Sequence, residues 1–431
     1  MEETPVDEGD TNKDVEVAPA LIALHPSENS VAVAVGSDLR VFDLVGNCAV
    51  SLVDESGPPY HKDSIRTICY GSKGQLFISA GDDKTVKIWS TESWRCIYNV
   101  VSEKRVSAAA ISPNGLHVCF ADKFGVIWVV DLDGGVDGNQ PLVNKKAVSL
   151  LSHYCSIITS LKFSLDGRFL VSADRDFKIR VTMFPTKPVN EAHEIQSFCL
   201  GHTDFVSCIA FVSNLQCSHG FLISGSGDST VRLWDILSGS LLDTCEIGDK
   251  VELLDSKERE GCHSAVTSLC TIADGALVAV AVQSLHGIIL LNCDLSNHTL
   301  SVVKVVSISE ETFIPTSLST SCSTGYLWMV TGVSSLHNLG HSSLAHVKVM
   351  SGFNKDNSTA NDVSVVEDDA IPGGTKLLEK LQGGITFDEK VFLAAAEAVK
   401  TAMSNLLTKK QYSIEKRDFR KRTRNDRKLK Q

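Results

Sequence analysis

The sequence lacks the features that mark membrane, secreted and metal-binding proteins. Its longest uninterrupted apolar run, 276–282, is far shorter than the roughly 18 residues that a membrane-spanning helix needs. The first residues, MEETPVDEGDTNKD, are acidic, whereas a secretory signal starts with basic residues and continues into an apolar core. The thirteen cysteines are scattered and include no C-x-x-C pair, which argues against a zinc site and a disulfide framework. We therefore expect a globular protein of a reducing compartment, the cytosol or the nucleus.

No catalytic constellation is recognisable either. The run Gly225-Ser226-Gly227-Asp228 is similar to a phosphate-binding loop, but no Lys-Ser or Lys-Thr follows it, and the next residues predict a strand rather than a helix. A nucleotide or methyl-donor site of the Rossmann type needs alternating strands and helices, which the main part of the chain does not show. The sequence thus predicts no cofactor and no enzymatic activity of its own.

Short strands separated by Gly, Asn, Asp and Ser turns fill most of the chain. The clearest repeat runs from Gly201-His202 to Trp234-Asp235, and related strand endings fall at residues 42, 89, 130, 182, 234, 291 and 348. A Gly-His near the start and a Trp-Asp near the end of about 40–45 residues is typical of a WD40 blade. The pattern predicts an all-β, seven-bladed WD40 propeller, with eight blades left open because the last repeats lack the signature residues.

Two repeats carry a His, Ser, Asp and Trp set that could be mistaken for a catalytic triad. The two sets are His61, Ser79, Asp83, Trp89 and His202, Ser224, Asp228, Trp234. A nucleophilic site would not be duplicated in separate repeats, because catalysis needs a single preorganised site. We interpret both sets as structural hydrogen-bonded tetrads.

The fourth repeat keeps this frame but changes its surface. In the run SADRDFKIRVT, the alignment pairs Asp176 with Asp228 and places Thr182 where the Trp stands. Arg175 and Lys178 replace small or turn-forming residues, and Lys178 and Arg180 should point off one strand face because strand side chains alternate. These cations form either a solvated strand face, neutralised by neighbouring aspartates, or a docking site for an acidic or aromatic patch. The docking hypothesis includes Arg175, Asp176, Phe177, Lys178 and Arg180.

The formal net charge of −11 hides a strongly basic end. Residues 409–431 contain eleven Lys or Arg and three Asp or Glu, a net of +8, so the remaining chain carries −19. Such a tail suits an anionic partner, either nucleic acid or a nuclear import receptor. The residues we expect to make RNA or import contacts are Lys416, Arg417, Arg420, Lys421, Arg422 and Arg424.

Composition and periodicity divide the chain into five parts. They are a disordered acidic N-terminus (1–16), the propeller (17–350), a flexible linker (351–386), an amphipathic helix (387–408) and the basic tail (409–431).

The strings SADRDFKIRVTMFP, IQSFCLGHTDFVSCIAF and KKQYSIEKRDFRKRTR resemble the WD-repeat non-catalytic subunit of the tRNA (guanine-N7)-methyltransferase. The resemblance implies a heterodimer in which a separate Rossmann-type subunit binds S-adenosylmethionine and methylates a guanine of the tRNA variable loop. The propeller would dock on that subunit by its side and stabilise it, with Arg180 in contact and Lys178 beside it. Phe177 stands where the family often has an acidic residue, so an apolar contact would replace one salt bridge there.

Three hypotheses remain distinct at this point. The first is the scaffold subunit, located in the nucleus with the cytoplasm also open, which meets tRNA indirectly or through the tail and has no membrane partner. The second is a WD40 adaptor of another assembly, a ubiquitin-ligase substrate receptor or a chromatin factor. The third is an enzyme in its own right, against which the lack of a methyl-donor motif argues.

Overall fold

The computed structural model describes residues 18–55, 57–132, 145–153, 156–188, 193–214, 217–248, 264–272, 276–308, 313–321, 325–334, 343–353, 363–383 and 389–407. The N-terminal segment 1–16 and the basic tail 409–431 of the sequence analysis lie outside these ranges.

Seven four-stranded antiparallel sheets form the seven blades of a propeller, as predicted. The first three blades comprise β1 (Leu21–Leu24), β2 (Ser30–Val35), β3 (Asp38–Asp43), β4 (Cys48–Ala49); β5 (Ile65–Tyr70), β6 (Leu76–Gly81), β7 (Thr85–Ser90), β8 (Cys96–Val101); and β9 (Val106–Ile111), β10 (His117–Asp122), β11 (Val126–Asp131), β12 (Val148–Ser152). Blades four and five comprise β13 (Ile158–Phe163), β14 (Phe169–Asp174), β15 (Lys178–Met183), β16 (Glu194–Leu200); and β17 (Val206–Asn214), β18 (Cys217–Ser226), β19 (Thr230–Trp234), β20 (Leu241–Glu246). Blades six and seven comprise β21 (Val266–Ile272), β22 (Leu277–Val282), β23 (Gly287–Asp294), β24 (Thr299–Ser307); and β25 (Ser317–Thr320), β26 (Leu327–Ser334), β27 (Ser343–Ser351), β28 (Ser364–Val365).

The core lies between blades rather than within them. In one cluster, Val171 and Ile179 of blade four pack against Leu222 and Trp234 of blade five, and every other pair of adjacent blades shares such a cluster. A single blade has a face too small to be buried alone, so the radial arrangement supplies the missing apolar partner.

The first strand of each blade lies next to the first strands of its neighbours, so these strands line the central axis. Each blade consists of four consecutive strands, so blades one and seven exchange no strand where the ring closes. Hydrogen bonds join them there: the Ala20 amide donates to the Gly332 carbonyl, and Thr316 Oγ1 donates to the Ala20 carbonyl. We call the upper end the side that carries the turns between second and third strands and the loops entering each first strand.

The predicted linker 351–386 contains ordered structure that the composition did not reveal. β28 completes blade seven, and helix α1 (Gly374–Gln382) packs Leu377 and Leu381 into the core shared by blades seven and one. Arg40 Nη1 donates to the Leu381 carbonyl at 2.9 Å and fixes the C-terminal end of the helix. The interpretation as a flexible linker is therefore wrong for 363–383, because the few apolar residues of this polar segment are spaced to cover a core.

Helix α2 (Glu389–Leu407) lies within the range predicted for a helix. Ala395, Val399 and Met403 are buried against Phe313 and Val333 at the upper end of blade seven.

Candidate functional site on blade four

The two predicted tetrads are assembled in blades two and five. In blade five, His202 accepts or donates at both ring nitrogens, with Nδ1 at 2.9 Å from Asp228 Oδ2 and Nε2 at 2.7 Å from Ser224 Oγ. Trp234 Nε1 donates to the same Ser224 hydroxyl at 2.8 Å. This series of hydrogen bonds runs from the upper end of the blade into the core. It leaves no hydroxyl of the tetrad open to a substrate, so the tetrad is a structural element.

Blade two repeats this geometry. His61 lies 2.8 Å from both Asp83 Oδ2 and Ser79 Oγ, and Trp89 Nε1 donates to Ser79 Oγ at 3.0 Å. His61, Ser79 and Trp89 are all fully buried, which excludes the water that hydrolytic chemistry would need.

Blade four departs from the alignment of the sequence analysis. His153 bonds Ser172 at 2.8 Å, but its acidic partner, at 2.9 Å, is Asp174 and not Asp176. Thr182 stands at the Trp position, and its hydroxyl has no hydrogen-bond partner among the residues that the structure describes. Asp176 therefore aligns with Asp228 in sequence position, but it does not take over the bond that Asp228 makes to the tetrad histidine.

The reason lies in the turn between β14 and β15. Asp174 occupies the last position of β14, and its Oδ1 accepts from the amides of Asp176 and Lys178 at 2.8 and 3.1 Å. The Asp174 carboxylate thus both caps the turn and holds His153. Asp176 lies on the turn and does not bond the histidine. Blade three uses Asp122 in the same way, with Trp128 in place of the histidine.

Phe177 holds the third position of this turn with φ of 69°. The left-handed conformation is costly for a bulky residue, and the equivalent positions are Lys84, Gly125 and Ser229. The ring is also exposed. An exposed aromatic side chain in a strained backbone conformation points to a role other than folding.

Arg180 lies opposite the tetrad serine of its blade, as do Lys87 and Arg232 in theirs. Its counterparts each have a carboxylate. Lys87 pairs with Asp54, Arg232 lies 3.8 Å from Asp228, and the Arg40 Nε atom donates to Asp38 at 2.7 Å.

Arg180 has no such partner in the described part of the chain. It is only 8% exposed, its Nη1 donates to the Ser152 carbonyl at 3.3 Å, and its Nε has no hydrogen-bond partner there. Burial lowers the pKa of Arg180, and burial together with the Arg180 charge lowers the pKa of His193. A buried cation without a counter-charge is energetically unfavourable in the isolated propeller.

Apolar side chains of the outer strand lie on the same sheet face as this cation. In the register of β15 and β16, Lys178 lies opposite Leu200 and Arg180 lies opposite Phe198, and directly opposed residues share a sheet face. Phe198, Leu200 and Ile195 are all exposed. We call this surface the blade-four edge; it consists of Lys178, Arg180, Ile195, Phe198 and Leu200.

The structure therefore separates the predicted docking residues. Lys178 and Phe177 are exposed, Arg175 and Asp176 are half-buried on the turn, and Arg180 is buried between blades. Sequence reasoning missed Ile195, Phe198 and Leu200. The run EIQSFCL could have indicated them, because it carries apolar residues on both faces of a strand, which is typical of an outer strand that a partner covers. The predicted tail contacts, Lys416, Arg417, Arg420, Lys421, Arg422 and Arg424, lie outside the described residues.

The described residues show neither a metal-binding cluster nor a membrane-spanning helix. No group of three or more His, Cys, Asp or Glu in the described residues could hold a metal ion. No helix among them is long and apolar enough to cross a membrane. Burial raises the pKa of the Cys119 thiol, and raises the pKa of Cys199 to about 12. These thiols pack as small apolar groups.

Comparison with known proteins agrees with this architecture. The family profile described as "tRNA methyltransferase TRM82 WD40 domain" matches residues 139–340, and "WD domain, G-beta repeat" matches 58–90. The solved "Structure of U3-55K" aligns with a TM-score of 0.57 at 18% identity, covering 73% of this chain and 88% of that one. This likeness shows the fold alone: the protein is a seven-bladed WD40 β-propeller.

The particular resemblance is to the WD-repeat non-catalytic subunit of the tRNA (guanine-N7)-methyltransferase, and the comparisons confirm it. Relatives with the name "tRNA (guanine-N(7)-)-methyltransferase non-catalytic subunit wdr4" include one from Dictyostelium discoideum, 32% identical over 55% of this chain and 51% of its own length. The one from Xenopus laevis is 27% identical over 74% and 76%, and the human one 33% identical over 43% and 41%. The chain spans about half the length of the Dictyostelium discoideum relative and less than half that of the human one.

Proposed function

We propose that this propeller is the non-catalytic scaffold subunit of a tRNA (guanine-N7)-methyltransferase. It docks through the blade-four edge on a separate catalytic subunit, which binds S-adenosylmethionine and forms N7-methylguanine in the tRNA variable loop. The names of the relatives and the blade-four motifs support this role. The propeller contributes no catalytic residue and binds no cofactor itself.

The observation that carries the proposal is Arg180, which is buried and has no carboxylate partner among the residues that the structure describes. Its counterparts in blades one, two and five are neutralised within the chain, so the position does not in general require an external partner. In blade four the missing carboxylate would come from the docked subunit. Arginine suits this because its planar guanidinium can donate to a carboxylate with two parallel hydrogen bonds.

The apolar part of the blade-four edge supplies the second half of the interface. Phe198, Leu200 and Ile195 flank the cation, and burial of such side chains against a partner provides affinity while the charge pair provides orientation. Phe177, at the upper end of the same blade, would add an aromatic anchor in the place of a salt bridge.

The test is recovery of the partner from the protein's own cell extract. The full chain carrying an affinity tag is purified, the bound proteins are identified by mass spectrometry, and guanine-N7 methylation of tRNA is assayed with and without the recovered partner. We expect a Rossmann-type methyltransferase, with activity that neither subunit shows at full level alone. Recovery of only ubiquitin-ligase or chromatin components, with no methylation, would support the adaptor function instead.

We infer from the basic tail that the protein is located in the nucleus, and a second pool in the cytoplasm is left open. A fluorescent fusion of the full chain tests it against the variant with Lys421, Arg422 and Arg424 changed to Ala. Loss of nuclear signal with methyltransferase binding intact identifies an import signal. Unchanged location with weaker tRNA binding assigns the tail to RNA.

A further inference from the structure

A cysteine and a histidine contact each other at the tip of the hairpin formed by β17 and β18, at the lower end of blade five. Cys217 is the first residue of β18 and His219 follows two positions later, so both side chains lie on one face of the strand. Cys217 Sγ lies 2.9 Å from His219 Nε2, whereas the Gly220 carbonyl oxygen lies 4.0 Å from the same sulfur. The imidazole is therefore the nearer acceptor for the proton of this thiol.

Contacts with blade four hold the histidine in place. The His219 ring stands edge-on to Phe169, with 6.1 Å between the ring centroids, and Phe169 belongs to the core shared by blades four and five. Beside it, Ser218 Oγ donates to Asp166 Oδ2 at 3.3 Å. The thiol and the imidazole are thus already assembled in the folded chain, as an activated nucleophile requires.

A carboxylate of blade five acts on the same histidine. Burial on its own raises the pKa of Asp235, but hydrogen bonds from Ser238 and Leu237, together with the charge of His219, hold that pKa below its usual range. A carboxylate near an imidazole favours the charged form of the ring. A thiol, a base and a third group that supports the base form the arrangement by which proteins generate reactive thiolates.

Most other described thiols have the opposite environment. Burial in apolar surroundings raises the pKa of seven of them, which are Cys69, Cys96, Cys119, Cys199, Cys208, Cys270 and Cys293. The thiolate is the reactive species, so such thiols are poor nucleophiles. Cys217 differs from them because it is only half-buried and contacts an imidazole.

We propose that Cys217 is a site of reversible oxidation by peroxides, with His219 as the group that accepts its proton. The thiol proton moves to His219 Nε2, and the thiolate sulfur attacks one oxygen of hydrogen peroxide. The O–O bond breaks, the sulfur is oxidised to a sulfenic acid, and the departing hydroxide takes the proton from the imidazolium and leaves as water. This modification goes beyond the proposed function and does not depend on it.

The surroundings of the pair favour this class of oxidant. Cys217 and His219 are half-buried, and the carboxylates of Asp166 and Asp235 lie on either side of the hairpin tip. A small neutral molecule reaches such a thiol, whereas an anionic oxidant is repelled by the carboxylates.

The experiment compares two cysteines within one molecule. The full chain is treated with hydrogen peroxide at about pH 7, sulfenic acids are trapped with dimedone, and peptide mass spectrometry assigns the label to single cysteines. Cys48 is the reference, because it is exposed and lies at the same end of the propeller, on blade one. Greater exposure favours Cys48, so a faster reaction at Cys217 cannot result from access alone.

We expect Cys217 to be labelled about tenfold faster than Cys48. An unperturbed thiol is only about 3% ionised at pH 7, so complete transfer of the proton raises the rate by at most roughly 30-fold. The lower nucleophilicity of a more acidic thiol removes part of that gain. A rate at Cys217 no higher than that at Cys48 overturns the proposal.

The role of the imidazole is tested with His219→Gln and a matched control, His298→Gln. His298 lies on the lower-end turn of blade six, and its ring packs against Phe221. We expect His219→Gln to slow labelling of Cys217 about tenfold and His298→Gln to leave it unchanged, with melting temperatures showing that both variants are folded. An unchanged rate in folded His219→Gln, or equal slowing in both variants, overturns the proposal. If His219→Gln does not fold, the comparison of Cys217 with Cys48 in the unmutated chain still decides.

Discussion

The Nη1 atom of Arg180 lies 3.3 Å from the carbonyl oxygen of Ser152, so the guanidinium bridges the third strand of blade four and the last residue of blade three's outer strand. A carbonyl oxygen offers only a partial negative charge, and Arg180 has no carboxylate partner in the part of the chain that the structure describes. The same side chain should therefore have opposite effects on the stability of the lone chain and of the complex.

Arg180→Met should leave the free energy of unfolding of the lone chain unchanged, or raise it by up to about 1 kcal/mol, because an unpaired charge leaves the interior. Arg232→Met is the matched control, since Arg232 donates to Thr230 Oγ1 at 3.2 Å and lies near Asp228. It should lose about 1 kcal/mol. Denaturant unfolding of both variants measures this, and a loss above about 2 kcal/mol in Arg180→Met would show that the cation stabilises the free fold.

Asp174→Asn and Asp176→Asn distinguish the observed hydrogen bonds from the sequence alignment. Asp174 caps the turn and holds His153, so its replacement should cost about 1–3 kcal/mol. Asp176 holds no tetrad histidine, and its replacement should cost clearly less. Thermal unfolding of the two variants side by side is the measurement, and the reverse order would contradict the assignment.

Phe177→Gly should stabilise the isolated propeller. The residue has φ of 69°, which glycine adopts without steric cost, and the gain, offset by the greater flexibility of the unfolded chain, should be about 0.5–1 kcal/mol. The same variant should weaken partner binding if the ring is an anchor. A rise in melting temperature with unchanged partner affinity would remove Phe177 from the interface.

The tetrads should make the stability of the fold decrease at acid pH. Burial on its own raises the pKa of Asp228, but hydrogen bonds from His202, Thr203 and Thr230 outweigh it and hold the pKa well below its usual range. A carboxylate with a lowered pKa in the folded state stabilises the fold above its unfolded value of about 3.9, and this contribution disappears as the pH falls towards the folded value. The melting temperature should fall steeply below about pH 4, and less steeply in Asp228→Asn. Equal slopes for the two proteins would exclude Asp228 as a source of the acid sensitivity.

The sequence was sufficient to predict the propeller, because similar strand endings recur along the chain and the middle repeats carry the WD40 signature, even though the last repeats lack it. The tetrad of His202, Ser224, Asp228 and Trp234 could be read directly, since its spacing is fixed by the hairpin between second and third strands. The choice between Asp174 and Asp176 could not, because both lie on one tight turn and only backbone geometry decides which carboxylate reaches His153.

The sequence also could not predict that Arg180 is buried, or that no carboxylate of the described residues pairs with it. Arg40, Lys87 and Arg232 occupy the same repeat position, and their partners come from different places: Asp38 two residues away, Asp54 in a loop, and Asp228 on a turn. Whether a carboxylate of the described residues reaches this position is decided by the assembled fold. Helix α1 was missed for a related reason, since Leu377 and Leu381 pack into the core shared by blades seven and one, and blade one is distant in sequence.

The most direct test is the affinity of the full chain for the purified catalytic subunit, measured for Arg180→Glu, Phe198→Asp and Val303→Asp. Val303 lies on the outer strand of blade six and is 38% exposed, close to the 42% of Phe198, so it is a matched control. Docking through the blade-four edge predicts that Arg180→Glu weakens binding by about 2–5 kcal/mol and that Phe198→Asp also weakens it, while Val303→Asp binds as the unmutated chain does. Unchanged affinity in both blade-four variants, with the propeller folded, would contradict the account.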